Sequence, residues 1–161
     1  MEPRIEMLPE KKLVGKRLKM TLSNNRTVEL WRSFMPKRKN ISLMRSSDLF
    51  SMQVYNKLLD FNDFDQDTEF EKWAAVEVAD YHDVPEDLET YTLTGGLYAV
   101  FIHKGAARVF KNTFEFIFNS WLPRSSYALD KREHFELLGE RYKNDDPASE
   151  EEVWIPIRMK T

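Results

Sequence analysis

The amino-acid sequence predicts an α+β fold, in which one antiparallel sheet carries two main helices and a strand–helix–strand–strand unit occurs twice. Three observations carry this expectation. The run Leu30-Trp31-Arg32-Ser33-Phe34-Met35-Pro36-Lys37-Arg38 recurs, aromatic for aromatic and proline for proline, as Ile117-Phe118-Asn119-Ser120-Trp121-Leu122-Pro123-Arg124-Ser125. Two strand-like runs follow each copy. One further strand-like run precedes each. The repeats extend over about 11–79 and 97–158, which is a single duplication and not an array of short repeats.

The first strand is read at 12–20. Each helix shows apolar residues three and four apart, and a proline is expected to stop it, because the ring clashes with the turn before. The first half then continues with strands at 49–55 and 70–78. The second half repeats the order with a strand at 97–104, the helix ending at its own proline, and strands at 135–142 and 153–157. Polar, turn-rich connections fall at 37–40, 60–69, 80–87 and 144–151. Lys37-Arg38-Lys39 places positive charge at the negative end of the first helix dipole.

The chain has 161 residues, 42% of them hydrophobic and 13% aromatic, enough for one core that the two halves share, so a single domain over 1–161 is expected. A net charge of −3 offers no broad basic surface, and direct nucleic-acid binding is not expected. The absence of cysteine excludes disulfides and thiol catalysis and fits a reducing cytosol. No apolar run approaches the roughly 20 residues that cross a bilayer, and the charged start lacks the apolar stretch of a signal peptide. A soluble, cytoplasmic protein without membrane attachment is the expectation.

Several chemistries lack their residues. The alternation Asp63, Asp65, Asp67, Glu69 has neither the central glycine nor the closing carboxylate of a calcium loop. His82, His103 and His134 fall in three segments without paired ligand spacing, so no metal is expected. No Gly-x-Ser-x-Gly elbow is present, and Gly95-Gly96 is too short to cradle a phosphate. Neither a serine hydrolase nor a nucleotide enzyme is supported, and no cofactor is expected.

Two features remain. Glu136 stands between Phe135 and Leu137, where strand alternation sends it to the face of Leu138. On a buried face such a carboxylate must be paired, protonated, or placed for a cationic or hydrogen-bonding ligand. On an exposed face it is an ordinary charged residue, the commoner situation. The second feature is the set Trp31, Trp73, Trp121 and Trp154, with Trp73 and Trp154 each two residues after a glutamate, Glu71 and Glu152. Such residues either line a cleft for cations and flat rings or fill the core between helices and sheet.

The segments 91–105 and 121–125, then His134-Phe135-Glu136, then 153–157 resemble, in that order, the GyrI-like, AraC-type effector-binding domain family. With 73–78 the resemblance covers nearly the whole chain, and the family's duplicated architecture agrees with the internal repeat. The resemblance implies a groove between the halves, lined with aromatics and holding one glutamate that meets ligands, often lipophilic cations. Glu136 matches the glutamate of the family's Phe-Glu strand motif. Leu138 stands where that motif often has tyrosine. Glu152 and Trp154 match an acidic and aromatic pair on the last strand, and Trp73 is its counterpart by pseudo-symmetry. Trp31, Phe34 and Trp121, from the two helices, complete the candidate ligand-binding set.

Family members serve as sensor modules fused to a helix-turn-helix domain. About ten residues precede the first strand here, fewer than a DNA-reading helix pair needs, so the expectation is a stand-alone domain, with any regulator partner separately encoded. Three functions follow in order of support. The first is binding or sequestration of a hydrophobic, cationic small molecule. The second is hydrolysis of reactive, cyclopropane-type compounds, with Glu136 as acid or base and no other catalytic residue assigned. The third is inhibition of a protein partner, as the family's gyrase-inhibitor name suggests.

Overall fold

In a computed structural model that describes residues 1–56, 63–143 and 145–161, the chain alternates short apolar runs with turns and forms nine strands among the described residues. They are β1 (Arg4–Leu8), β2 (Lys11–Met20), β3 (Leu49–Val54), β4 (Phe70–Val78), β5 (Glu89–Leu93), β6 (Gly96–Lys104), β7 (Tyr127–Leu129), β8 (His134–Leu138) and β9 (Glu150–Met159). Helix α1 spans Thr27–Arg38 between β2 and β3, and α2 spans Phe110–Glu115 between β6 and β7. All pairings are antiparallel, in the order β1-β6-β9-β8-β3-β4-β2-β5, with β7 beside β9. The predicted α+β class with one antiparallel sheet and two main helices is what forms.

The repeating unit is one strand longer than the sequence pattern indicates. Strands β1 and β5 each precede a copy, and each crosses to the other copy: β1 pairs with β6, and β5 with β2. The chain therefore passes from one end of the sheet to the other through Pro9 and Glu10, and again through Thr94 and Gly95. The two ends meet at these turns, where a side chain on Gly95 would touch the backbone of Leu8 and Glu10. A buried carboxylate pins the second turn: Glu133 Oε2 accepts hydrogen bonds from Tyr91 Oη at 2.8 Å and from Thr94 N at 3.3 Å and Oγ1 at 3.1 Å.

The concave face that results encloses the aromatic core. Phe50, Met52, Trp73, Tyr98, Phe135 and Trp154 are all buried there, with Phe135 and Trp154 stacked at 5.2 Å. On the convex face, α1 packs Leu30 and Phe34 against Val14, Ala74 and Val76, while the second helical segment packs Ile117 and Phe118 against Phe101, Val153 and Ile155. Each helix covers the outer strands of its own half. The central seam, where β3 pairs with β8, is left between them.

The prolines do not act as predicted. Pro36 lies inside α1, which runs two residues further and closes with Asn40 N donating to Lys37 O at 3.0 Å. So near the end, the missing N–H removes only one helical bond, and the last turn tolerates it. The second helix is irregular: α2 continues into a π-helical turn over Phe116–Trp121 and a short last turn at Leu122–Arg124, which contains Pro123. Strand β8 stops at Leu138, short of the predicted 142, because the chain turns with Tyr142 N donating to Gly139 O at 3.1 Å. The predicted connection at 60–69 falls in part outside the described residues, as does residue 144 of the connection at 144–151. No described helix is long and apolar enough to cross a membrane.

Candidate functional site

The uncovered seam forms the floor of a cavity of about 740 Å³ between the two helical segments. Strand pairing builds this floor. Leu49 opposes Leu138 and Ser51 opposes Glu136 across β3–β8, and all four side chains line the cavity. Alternation within β8 explains the position of Glu136: Phe135 points into the concave core, so its neighbour points outward into the groove. One wall comes from α1, with Val28, Trp31 and Met35 as its apolar surface and Arg32 at the exposed side. The other wall comes from Ala107 and Phe110, where the second helical segment begins, and Tyr142 closes the far side.

Polar groups converge on the floor. Glu136 keeps 16% of its side-chain surface and accepts a hydrogen bond at Oε1 from Gln53 Nε2 at 3.1 Å. Lys72, from β4, brings its Nζ to 3.7 Å of the same oxygen and is only 10% exposed. Glu151, from β9, also lines the cavity. Burial, and after it the nearby Glu136 carboxylate, push the Glu151 carboxyl up to about 7, with Lys72 acting in the opposite direction.

The raised Glu151 carboxyl links stability to pH. Between the ordinary carboxyl value of 4.5 and about 7 the folded protein keeps a proton on Glu151 that the unfolded chain has released, so this residue lowers stability as pH rises through that window. The expected loss is on the order of 1 to 3 kcal/mol above the window. Denaturant titrations of wild type and Glu151→Gln at about pH 5 and about pH 8 check it. The mutant should gain relative to wild type only at the higher pH; equal differences at both would contradict the burial of this carboxyl.

The candidate residues from the sequence divide between three environments. Glu136, Leu138 and Trp31 line the cavity together. Phe34 is fully buried beneath α1, with the ring of Trp31 edge-on at 6.0 Å. Trp121 packs beneath the second helical segment, its ring 5.2 Å from Phe101. Trp73 and Trp154 lie on the opposite face of the sheet from Glu136, inside the concave core, and do not line this cavity. The register gives the reason. Glu136 opposes Val153, so Glu152 and Trp154 oppose Leu137 and Phe135 and point away.

The tryptophan and glutamate pairs have a structural part in both halves. Trp73 Nε1 donates to Glu71 at 2.7 Å and Trp154 Nε1 to Glu152 at 3.0 Å, while Arg17 from the adjacent strand β2 holds Glu71 and Arg4 reaches Glu152 from β1 across β6, each at 2.9 Å. Lys72, Ser51, Met35 and Glu151 were not singled out by sequence reasoning. Alternation back from Val153 assigns Glu151 to the face of Val153 and Ile155, but the run Glu150-Glu151-Glu152 reads first as a solvated acidic turn. His103 and His134 are buried in different places, and no described group of three His, Cys, Asp or Glu residues is arranged to hold a metal.

An apolar groove with a small set of convergent charges, built at the seam of a duplicated sheet, defines the class of small-molecule-binding modules. The model of the family described as the GyrI-like small molecule binding domain matches residues 1–158, and the chain belongs to that family. It is 31% identical over 90 residues to the transcriptional regulator BrlR of Pseudomonas aeruginosa, a match covering 55% of this chain and 33% of that regulator. The chain thus spans about a third of the regulator's length. The solved structure of SAV2435 bound to tetraphenylphosphonium superposes with a TM-score of 0.68 at 16% identity, covering 98% of this chain and 94% of that one. A hydrolase from Listeria innocua superposes with a TM-score of 0.58 at 12% identity, covering 98% and 92%. At such identities the structural likeness shows a shared fold.

Proposed function

We propose that this protein binds hydrophobic, cationic small molecules in the cavity between its helices. The observation that carries this reading is the floor: Glu136 and Glu151 stand among Trp31, Met35, Leu49 and Leu138 in one cavity. Apolar walls bind a lipophilic body by removing its surface from water, and carboxylates in a poorly hydrated site favour a delocalised cation whose own hydration is weak. The face of Trp31 adds attraction for positive charge. The shared fold with SAV2435, solved with a lipophilic phosphonium, supports the same ligand class.

Titration calorimetry with tetraphenylphosphonium tests the reading. Glu136→Gln removes one negative charge and leaves the Lys72 ammonium facing the ligand, and the expected cost is about 1 to 3 kcal/mol, or roughly five- to 150-fold in affinity. Neutral triphenylphosphine oxide should bind wild type weakly and lose little on the mutation. Equal affinity for the cation and the neutral compound would sink the proposal.

A second reading is hydrolysis, favoured by two carboxylates and a lysine in one cavity and by the shared fold with the Listeria hydrolase. A carboxyl near neutrality can exchange a proton with water or a leaving group. Mass spectrometry of a cyclopropane-type electrophile incubated with less than one equivalent of protein separates the two. Product beyond one equivalent means turnover, and intact ligand means binding alone.

A further inference from the structure

The two carboxylates of the cavity are not equivalent. Glu136 is already engaged, by Gln53 at 3.1 Å and Lys72 at 3.7 Å. Glu151 lines the same cavity, and its carboxylate makes no hydrogen bond or salt bridge among the described residues. With Lys72 offsetting Glu136, the uncompensated negative charge of the floor is that of Glu151. We propose that Glu151 is a second ligand-binding residue of this cavity and the one that receives the positive centre of a cationic ligand, with Glu136 held in place beside it by Lys72 and Gln53. This inference rests on the cation-binding reading above.

The surroundings leave Glu151 free for this part. On α1, Arg32 is exposed at the mouth. On the turn after β8, the Tyr142 phenol stays neutral, its pKa raised by burial and then by Glu151 itself. His103 lies directly across on β6, but both ring nitrogens are occupied, Nδ1 with Thr113 Oγ1 at 2.6 Å and Nε2 with Ala106 O at 3.2 Å. Arg108, beside Ala107, is ion-paired with Asp145. Along β9 the neighbours Glu150 and Glu152 alternate to the other face, 3.7 Å from Arg141 and 2.9 Å from Arg4.

The arrangement couples ligand charge to protonation. A carboxyl that ionises near pH 7 is partly protonated in the empty cavity, and an arriving cation favours the ionised form, so binding expels a proton. Ligands without positive charge gain nothing from this exchange. The site therefore selects hydrophobic monocations, and selects them more strongly as pH rises.

Titration calorimetry with tetraphenylphosphonium, repeated in buffers of different ionisation enthalpy and at about pH 5.5, 7 and 8.5, tests the proposal. Wild type should bind up to about 30-fold more tightly at the highest pH than at the lowest, with net proton release near pH 7. Glu151→Gln should bind more weakly at high pH and lose both the pH dependence and the proton release. Glu150→Gln, outside the cavity, should keep both. Binding by Glu151→Gln with wild-type affinity and pH profile overturns the assignment of Glu151 while leaving the cation reading intact. No binding of the cation by wild type at any of these pH values overturns both.

Discussion

Trp154→Ala is expected to lower the free energy of unfolding by roughly 3 to 5 kcal/mol, the range for removing a large buried aromatic. Only 6% of Trp154 reaches solvent. Its ring stacks on Phe135 at 5.2 Å and meets Tyr98 edge-on at 5.7 Å, so truncation opens a void at the centre of the concave core. The β-strands around that void are paired on both sides and cannot collapse into it easily. The indole N–H also releases Glu152, which leaves Arg4 as that carboxylate's remaining tie. Because Trp154 faces away from Glu136, tetraphenylphosphonium binding measured where the mutant is still folded should change no more than a few-fold. Urea denaturation followed by titration separates the outcomes. A mutant as stable as wild type that has lost the ligand would move Trp154 from the core to the binding site.

Gly15→Ala should have a comparable effect from the smallest possible addition. Strand β2 runs between β4 and β5, and a methyl group at Gly15 would stand 2.0 Å from the carbonyl oxygen of Ala74 and 2.7 Å from Cα of Ala75. These are backbone atoms of a paired strand, so no side-chain rotation relieves the clash. Either β2 parts from β4 or β4 shifts as a whole. The expected cost is about 3 kcal/mol or more, at the upper end for an overpacked interior. A shift of β4 also moves Lys72, three residues before Ala75, and with it the ion pair on the floor of the cavity. A denaturation midpoint within error of wild type would show that β2 yields freely here and that the close approach has no energetic weight.

The helix pair was legible because each copy carries the same aromatic and proline spacing, and strand alternation placed Glu136 with Leu138 on one face. The GyrI-like resemblance, carried by four short motifs in order, is shown by the family match over residues 1–158. Strands β1 and β5 were not legible. Each is five residues long, mixes charged and apolar side chains, and buries fully only its last residue, Leu8 or Leu93. Their place depends on partners in the opposite half, some 90 residues away for β1 and about 80 for β5, and no local pattern encodes that exchange. The π-helical turn at Phe116–Trp121 is equally silent, because the apolar spacing of its aromatics fits a regular helix.

By itself the sequence determined the α+β class, the duplication, and the fact that Glu136 and Leu138 share a face, since these depend on periodicity within single elements and on the likeness between two of them. The tertiary structure alone decided which face of the sheet curls inward. That choice sends Trp73 and Trp154 into the core and turns Glu136 out to the seam that neither helix covers. It also decided that Lys72 and Glu151, 79 positions apart in the chain, meet Glu136 in one cavity. Alternation fixes which side chains on a strand point the same way, whereas the register between strands and the direction of curl are set by long-range pairing and by the burial of a shared core.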